Sequence, residues 1–332
     1  MLPLKIAGIG LYFPENRETK TDFLKRGIQE ESIEKLGVYE RRTVTKGQTV
    51  TDLEIEASLA AIKDAGLKPI DIDLIISSTM LPEMVGIPNS NLLQHRLNAK
   101  NAAAFDIGQA CGAAIPSILI AANFMALGQY QHILVITSSN WSVISNPYQP
   151  SADFVLGDGA AAVVLTKSEA AYGIVSFAMQ TDGRFFYNCG VRVGNDHEVK
   201  YYEHHDGKKL LFYIDSKGID GSSSLFADYL ANNGPSVFHA ALKKASLTPE
   251  DIDCAVIHGN VTPVVDGWIK GMKVPRERFP LTFDRYGNLS VVTLLANLKE
   301  GLDKGMIKHG SMVALVSQGA GFSAGCIIMR WD

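Results

Sequence analysis

A chain of 332 residues, 46 % apolar and 20 % charged, has the composition of a globular protein with a large core, either two ordinary domains or one large α/β unit. Its formal net charge of −4 gives no reason to expect nucleic acid or an anionic membrane as partner, and no stretch approaches the ~20 apolar residues that span a bilayer. The four cysteines (Cys111, Cys189, Cys254 and Cys326) lie far apart, with no CxxC pair and no Cys/His metal spacing, which reads as reduced thiols of a cytoplasmic protein.

In chain order, the opening MLPLKIAGIGLYFP has an apolar run without a basic leader or cleavage site, and is expected to be a first strand, not a signal peptide. Ala61–Asp73 reads as the end of an Ala-rich helix and a Pro-containing turn, followed by the strand LIISSTM. Phe105–Gly128, FDIGQACGAAIPSILIAANFMALG, leads into Cys111 and then turns helical, apolar on nearly all sides. Cys111 therefore sits at a strand-to-helix turn. A free thiol has a pKa of roughly 8.5, and helix-terminal N–H groups favour the thiolate. Gly108 and Gly112 clear space for a carbonyl beside the sulfur. A small buried hydrophobe is the plain alternative for such a cysteine.

Farther on, HILVITSS (His132–Ser139) and AAVVLT read as strands covered on both faces. Asn140–Asp153 and Phe185–Ser216 are polar, aromatic and irregular, and are expected to shape a binding site or an interface. The second contains His197, His204 and His205. Adjacent histidines on a strand point to opposite faces, so no metal site is expected there.

Ala241–Asp253, ALKKASLTPEDID, repeats AIKDAGLKPIDID of Ala61–Asp73 with eight of thirteen positions identical, 180 positions later. Ser311–Gln318, SMVALVSQ, resembles HILVITSS, and Asn288 opens a helix as Cys111 does. The chain thus divides into two related halves, roughly 1–170 and 171–332, with mixed or parallel sheets. Duplicated halves bring their strand ends together around a pseudo-two-fold axis. His258, just after the strand CAVI, and Asn288 should then lie near Cys111.

A thiolate attacks a thioester readily, because acyl exchange between sulfurs is nearly balanced in energy. An imidazole and a carboxamide donating to one point suit an enolate, the oxyanion left when a β-carboxylated thioester loses CO₂. The Gly-rich turn QGAGFSAG, Gln318–Gly325, can supply a further backbone donor.

LGVYERR at Gly37–Arg42, AFDIGQACGA around Cys111, LGDGAAAVVL at Leu156–Leu165, VIHGN at His258, DRYGNLS at Asn288 and GAGFSAG, in this order, resemble the thiolase superfamily, and within it the β-ketoacyl-ACP synthase III family, over almost the whole chain. The resemblance implies a duplicated, five-layered αβαβα fold and a homodimer. It implies a ping-pong reaction in which Cys111 takes an acyl group and condenses it with a malonyl-type thioester as CO₂ leaves. Acyl-CoA or acyl carrier protein would be the substrates, and no cofactor or metal is implied. His258 and Asn288 would support decarboxylation, the backbone N–H groups of Cys111 and Ala320 would form the oxyanion hole, and Gly157–Gly159 would be a structural turn.

The departures point away from housekeeping initiation with acetyl-CoA. Gly259 replaces the glutamine that usually follows the histidine, Glu31 or a neighbour stands where a tryptophan stacks on adenine, and Thr262 stands where an arginine meets the carrier protein. Lys35 takes the place of another arginine, and a partner-donated phenylalanine is replaced around Gly86–Ile87. Lys35, Ile87 and Lys270 are therefore candidate substrate or carrier contacts. Lys270, Lys273, Arg276 and Arg278 could form a basic rim, though a solvated surface is the simpler account, as it is for Glu83. The expectation is a specialised condensing enzyme. A non-decarboxylating acyltransferase and a non-catalytic partner of a paralogous synthase are the alternatives.

Overall fold

The computed structural model describes residues 1–144, 153–191, 213–214 and 223–332. The core strands, in chain order, are β1 (Lys5–Tyr12), β2 (Leu74–Thr79), β3 (Ala103–Asp106), β4 (Ile133–Asn140), β5 (Asp158–Thr166), β6 (Gly173–Thr181), β7 (Cys254–Ile257), β8 (Met312–Gly319) and β9 (Ser323–Arg330). The principal helices are α1 (Val50–Asp64), α2 (Ala114–Ala126), α3 (Ser223–Ala245), α4 (Thr262–Met272) and α5 (Thr293–Asp303).

Among the described residues the strands form two mixed sheets of matching design. In the first, the order is β1-β5-β4-β2-β3. β5 runs antiparallel to both β1 and β4, while β4 and β2 are parallel, as are β2 and β3. In the second, β6-β9-β8-β7 repeats the pattern: β9 is antiparallel to β6 and β8, and β8 is parallel to β7.

The packing explains why these strands are apolar on both faces. All eight residues of β4 and of β8 are buried. One face of each sheet meets a shared central core, in which Ile118 and Ala122 of α2 and Leu294 and Leu298 of α5 lie between Val135 and Leu315. The other face of the first sheet packs on α1 through Ala57 and Ala61. The other face of the second packs on α3 and α4 through Phe238 and Trp268. The result is the expected five-layered αβαβα arrangement.

The repeated sequence does the same work twice. The Asp71 and Asp251 carboxylates accept from the N–H groups of Lys68 and Thr248, closing equivalent Pro-initiated turns. Asp73 then exchanges bonds with His132, and Asp253 with Met312, at the start of each central strand. Identical aspartates recur because each half must turn from a helix into a strand at the same place.

Arg41, from the LGVYERR stretch, anchors the segment leading into β5. Its buried guanidinium donates to the carbonyls of Asp153 (2.7 Å) and Leu156 (2.9 Å) and pairs with Glu18 at 2.9 Å. The neighbouring Val155 carbonyl accepts from Asn288 N–H at 2.6 Å. Arg41→Ala should lower unfolding stability by about 2–4 kcal/mol, since it leaves the buried carbonyls of Asp153 and Leu156 without their donor. Urea denaturation of the variant checks this.

Candidate active site

Two turns, one from each half, meet at the sulfur of Cys111. Cys111 lies in a 3₁₀ turn, Ala110–Gly112, that precedes α2. Its counterpart, Ser290–Val292, precedes α5. Each turn opens on a left-handed residue that is not glycine, Ala110 at φ 44° and Ser290 at φ 55°. Such backbone is costly and collects at functional sites. It brings the Ser290 hydroxyl within 3.0 Å of Cys111 Sγ.

The end of β8 supplies the third side. A Cβ on Gly319 would lie 2.3 Å from the Gln109 carbonyl, and one on Gly112 would lie 3.1 Å from Gly319 N. The two backbones touch because neither position carries a side chain. The contact sets the N–H groups of Cys111 and Ala320 against the sulfur, and Ser317 Oγ donates to the Cys111 carbonyl at 3.1 Å.

These groups open onto a cavity of about 390 Å³ lined by Cys111, His258, Asn288, Gln318 and Ala320 and by apolar side chains such as Phe226 and Val264. The three side chains singled out in the sequence thus share one chamber. His258 follows β7, its N–H held by the Val316 carbonyl at 2.8 Å. Asn288 is held at both backbone ends, by Val155 and by Gly157 N–H at 3.0 Å. Gly157 must lack a side chain, since a Cβ there would lie 2.0 Å from the Tyr286 carbonyl. The Asn288 side-chain carbonyl accepts from Ser290 N–H at 2.9 Å. Its carboxamide therefore caps the turn and keeps the NH₂ as its donating end.

Burial dominates the electrostatics. It pushes the Cys111 thiol above the ordinary cysteine value, against the lowering effect of Ser290 and of the Cys111 and Ala320 N–H groups. This corrects the expectation that the helix terminus alone would favour the thiolate: α2 starts three residues later, and desolvation outweighs the donors. Burial also lowers His258 to about 4. The imidazole is neutral at pH 7, and among the described residues its buried Nδ1 has no hydrogen-bond partner. A neutral ring in this setting donates a hydrogen bond; it does not form an ion pair with the cysteine.

The 3-oxoacyl-[acyl-carrier-protein] synthase III family model matches residues 105–183, and the model of the C-terminal region of that family matches 242–331. The chain is 32 % identical over 338 residues to the β-ketoacyl-[acyl-carrier-protein] synthase III of Caldanaerobacter subterraneus, covering 98 % of this chain and 97 % of the relative. It is 31 % identical to that of Fusobacterium nucleatum, with 100 % and 99 % covered. The crystal structure of the synthase III of Aquifex aeolicus superposes with a TM-score of 0.87 at 26 % identity, over 99 % of this chain and 100 % of that one. The chain belongs to the β-ketoacyl-[acyl-carrier-protein] synthase III family. It is a synthase III-like condensing enzyme of the acyl-transferring class.

Within this synthase III-like site, sequence reasoning missed three residues. Ser290 lay unremarked inside DRYGNLS, where its Asn-x-Ser spacing was the available signal. Gln318 opens the Gly-rich turn and carries no further signal in the sequence. Cys189 also lines the cavity, its thiol pushed up by burial and then by proximity to Cys111.

Other candidates lie elsewhere. Lys35, Ile87 and Lys270 are exposed and do not line the cavity, and neither does Glu83. Of the basic rim, Arg276 pairs with Asp266 at 2.6 Å and Arg278 holds the Ile252 carbonyl at 2.7 Å, so both have structural work. His197, His204 and His205 fall outside the described residues. Among the described residues no helix is long and apolar enough to cross a membrane.

Two outcomes follow from the electrostatics. An imidazole lowered from 6.5 to about 4 binds a proton in the unfolded chain before it does in the folded one. Its contribution to stability is therefore level above pH 6.5 and falls, by about 3 kcal/mol in total, as the pH drops toward 4. Denaturation of wild type against His258→Gln from pH 7 to pH 4 should show wild type losing ground by that order. Ser290→Ala removes a donor that favours the thiolate, so the pH midpoint for iodoacetamide alkylation of Cys111 should move upward. Peptide mass mapping separates this from reaction at Cys189.

Proposed function

We propose that Cys111 is the nucleophile of a decarboxylative condensation, with the halves 1–170 and 171–332 contributing the sulfur and the enolate donors respectively. The observation that carries this reading is the shared chamber, where Cys111, His258 and Asn288 line one wall system and two backbone N–H groups lie at the sulfur.

In the first step, the Cys111 sulfur attacks the carbonyl carbon of an acyl-CoA or acyl carrier protein thioester. The oxyanion is held by the N–H groups of Cys111 and Ala320. The carrier leaves as a thiol, taking the proton that Cys111 gives up. In the second step, a malonyl-type thioester places its carbonyl oxygen between His258 Nε2–H and the Asn288 NH₂. Loss of CO₂ leaves an enolate whose negative oxygen these neutral donors stabilise. Its α-carbon attacks the Cys111 thioester, a carbon–carbon bond forms, and Cys111 is released as the thiolate. The reading needs no charged imidazole, which agrees with the low pKa of His258.

The enzyme is a specialised relative that acts on an acyl group other than acetyl, working in the cytoplasm as a homodimer. The departures from the family pattern at Glu31, Lys35, Gly259 and Thr262 support specialisation. Thr262 instead packs beneath Gly37 and donates to the Leu36 carbonyl at 3.3 Å. The exposed apolar run Met84, Val85 and Ile87 supports a partner subunit, since Val85 is 88 % exposed in the single chain.

Intact-mass analysis with acetyl, medium-chain, aromatic and malonyl thioesters tests the nucleophile. One acyl adduct should appear on wild type and vanish in Cys111→Ala. CO₂ release from malonyl thioester should fall by about 10²-fold in Asn288→Ala, the scale of losing one oxyanion donor. Product formed without CO₂ would instead identify a non-decarboxylating acyltransferase.

A further inference from the structure

Gln318 is a polar side chain in the wall of the chamber that the condensation leaves unused. Side chains alternate along β8, so Ser317 reaches inward to the Cys111 carbonyl while Gln318 turns toward α3 and α4. There it lines the cavity beside Leu230, Val264 and Phe226. Gln318 is only 3 % exposed. A glutamine in such surroundings costs free energy unless its amide is used.

Half of that amide is used by the protein. Gln318 Oε1 accepts from Asn233 Nδ2 at 2.7 Å. Tyr229, whose hydroxyl donates to the Phe322 carbonyl at 3.4 Å, lies beside the Asn233 amide. The Asn233 backbone is tied in turn, since its carbonyl accepts from Gln180 Nε2 at 3.2 Å. Asn233 is 2 % exposed, and among the described residues its own Oδ1 has no partner. The fold thus tolerates a buried, unsatisfied carbonyl to keep the Gln318 carbonyl pinned. Pinning that end leaves the Gln318 NH₂ as the donor offered to the cavity.

We infer that Gln318, held by Asn233, is a recognition site for an acceptor oxygen on the acyl part of a thioester substrate. The inference rests on the reading of Cys111 as the acylated residue. Two sources carry the same chemistry: an oxo or hydroxyl oxygen on the acyl chain loaded onto Cys111, or the carboxylate of the malonyl-type extender. The two half-reactions separate them. In the first case Gln318 selects among acyl chains, because plain alkyl chains offer its NH₂ nothing to bind; in the second it selects the carboxylated extender.

The test compares wild type, Gln318→Leu and Asn233→Leu, with circular dichroism melts to confirm folding. Time-resolved intact mass follows acylation of Cys111 by the matched pair 3-hydroxybutyryl-CoA and butyryl-CoA, and a second assay follows CO₂ release from malonyl-CoA. If the acyl chain is the source, wild type prefers the hydroxylated donor and the ratio of the two rates drops about five- to tenfold in both variants, the size of one hydrogen bond. If the extender is the source, the ratio holds and CO₂ release drops by a similar factor. Folded variants that keep both the ratio and CO₂ release overturn the inference while leaving the nucleophile assignment intact. Absence of any adduct on wild-type Cys111 with these donors and with acetyl, medium-chain and aromatic thioesters overturns the nucleophile assignment and this inference together.

Discussion

The site depends on a contact with no side chains in it. Gly112 at the start of the central helix of the first half and Gly319 at the end of the central strand of the second pack backbone to backbone. Only at that separation can N–H groups from both turns reach one sulfur. A methyl group at either position would push the halves apart or bend the 3₁₀ turn, and the donors would point at nothing. The same economy holds at Gly157, whose bare Cα lets the segment before β5 press on Tyr286 and hold Asn288. Arg41 then ties that segment to Glu18.

The chemistry that this frame supports is neutral. The thiol is raised by burial and the imidazole is lowered by it, and among the described residues no charged side chain contributes to either shift. In a dry chamber, fixed dipoles do what charges would do in water, and they need no reorganisation when an oxyanion appears. In the proposed reaction, Ser290, Cys111 N–H and Ala320 N–H would serve the sulfur, and His258 Nε2–H and the Asn288 NH₂ would serve the extender. A charged His258 would compete for the thiolate and would cost the stability that its low pKa reflects.

Duplication explains why these parts converge, and also why they differ. Ala110 and Ser290 open equivalent turns in the same left-handed conformation, yet one precedes Cys111 and the other carries a hydroxyl to its sulfur. The aspartates at 71, 73, 251 and 253 keep their shared roles because both halves face the same turn geometry. Near the axis the halves meet each other instead of solvent, and each residue there answers to an asymmetric task.

Much of this was legible before any coordinates. The repeated AIKDAGLKPIDID pattern and the doubly apolar strands determined the duplicated αβαβα architecture, because local turn chemistry and two-sided burial leave period and composition in the chain. Cys111, His258 and Asn288 were legible for a related reason: each sits at a strand or helix end, next to glycine, in a motif of recognisable order. Ser290, Gln318 and the protonation of Cys111 were not. A serine at an Asn-x-Ser spacing and a glutamine before a glycine are unremarkable in one dimension. Their roles come from distances across 179 and 85 residues, to Cys111 and Asn233 respectively. Desolvation likewise belongs to no single segment, since it is the sum of everything packed around the sulfur. Only the closed tertiary structure decided that burial outweighs the helix terminus at Cys111.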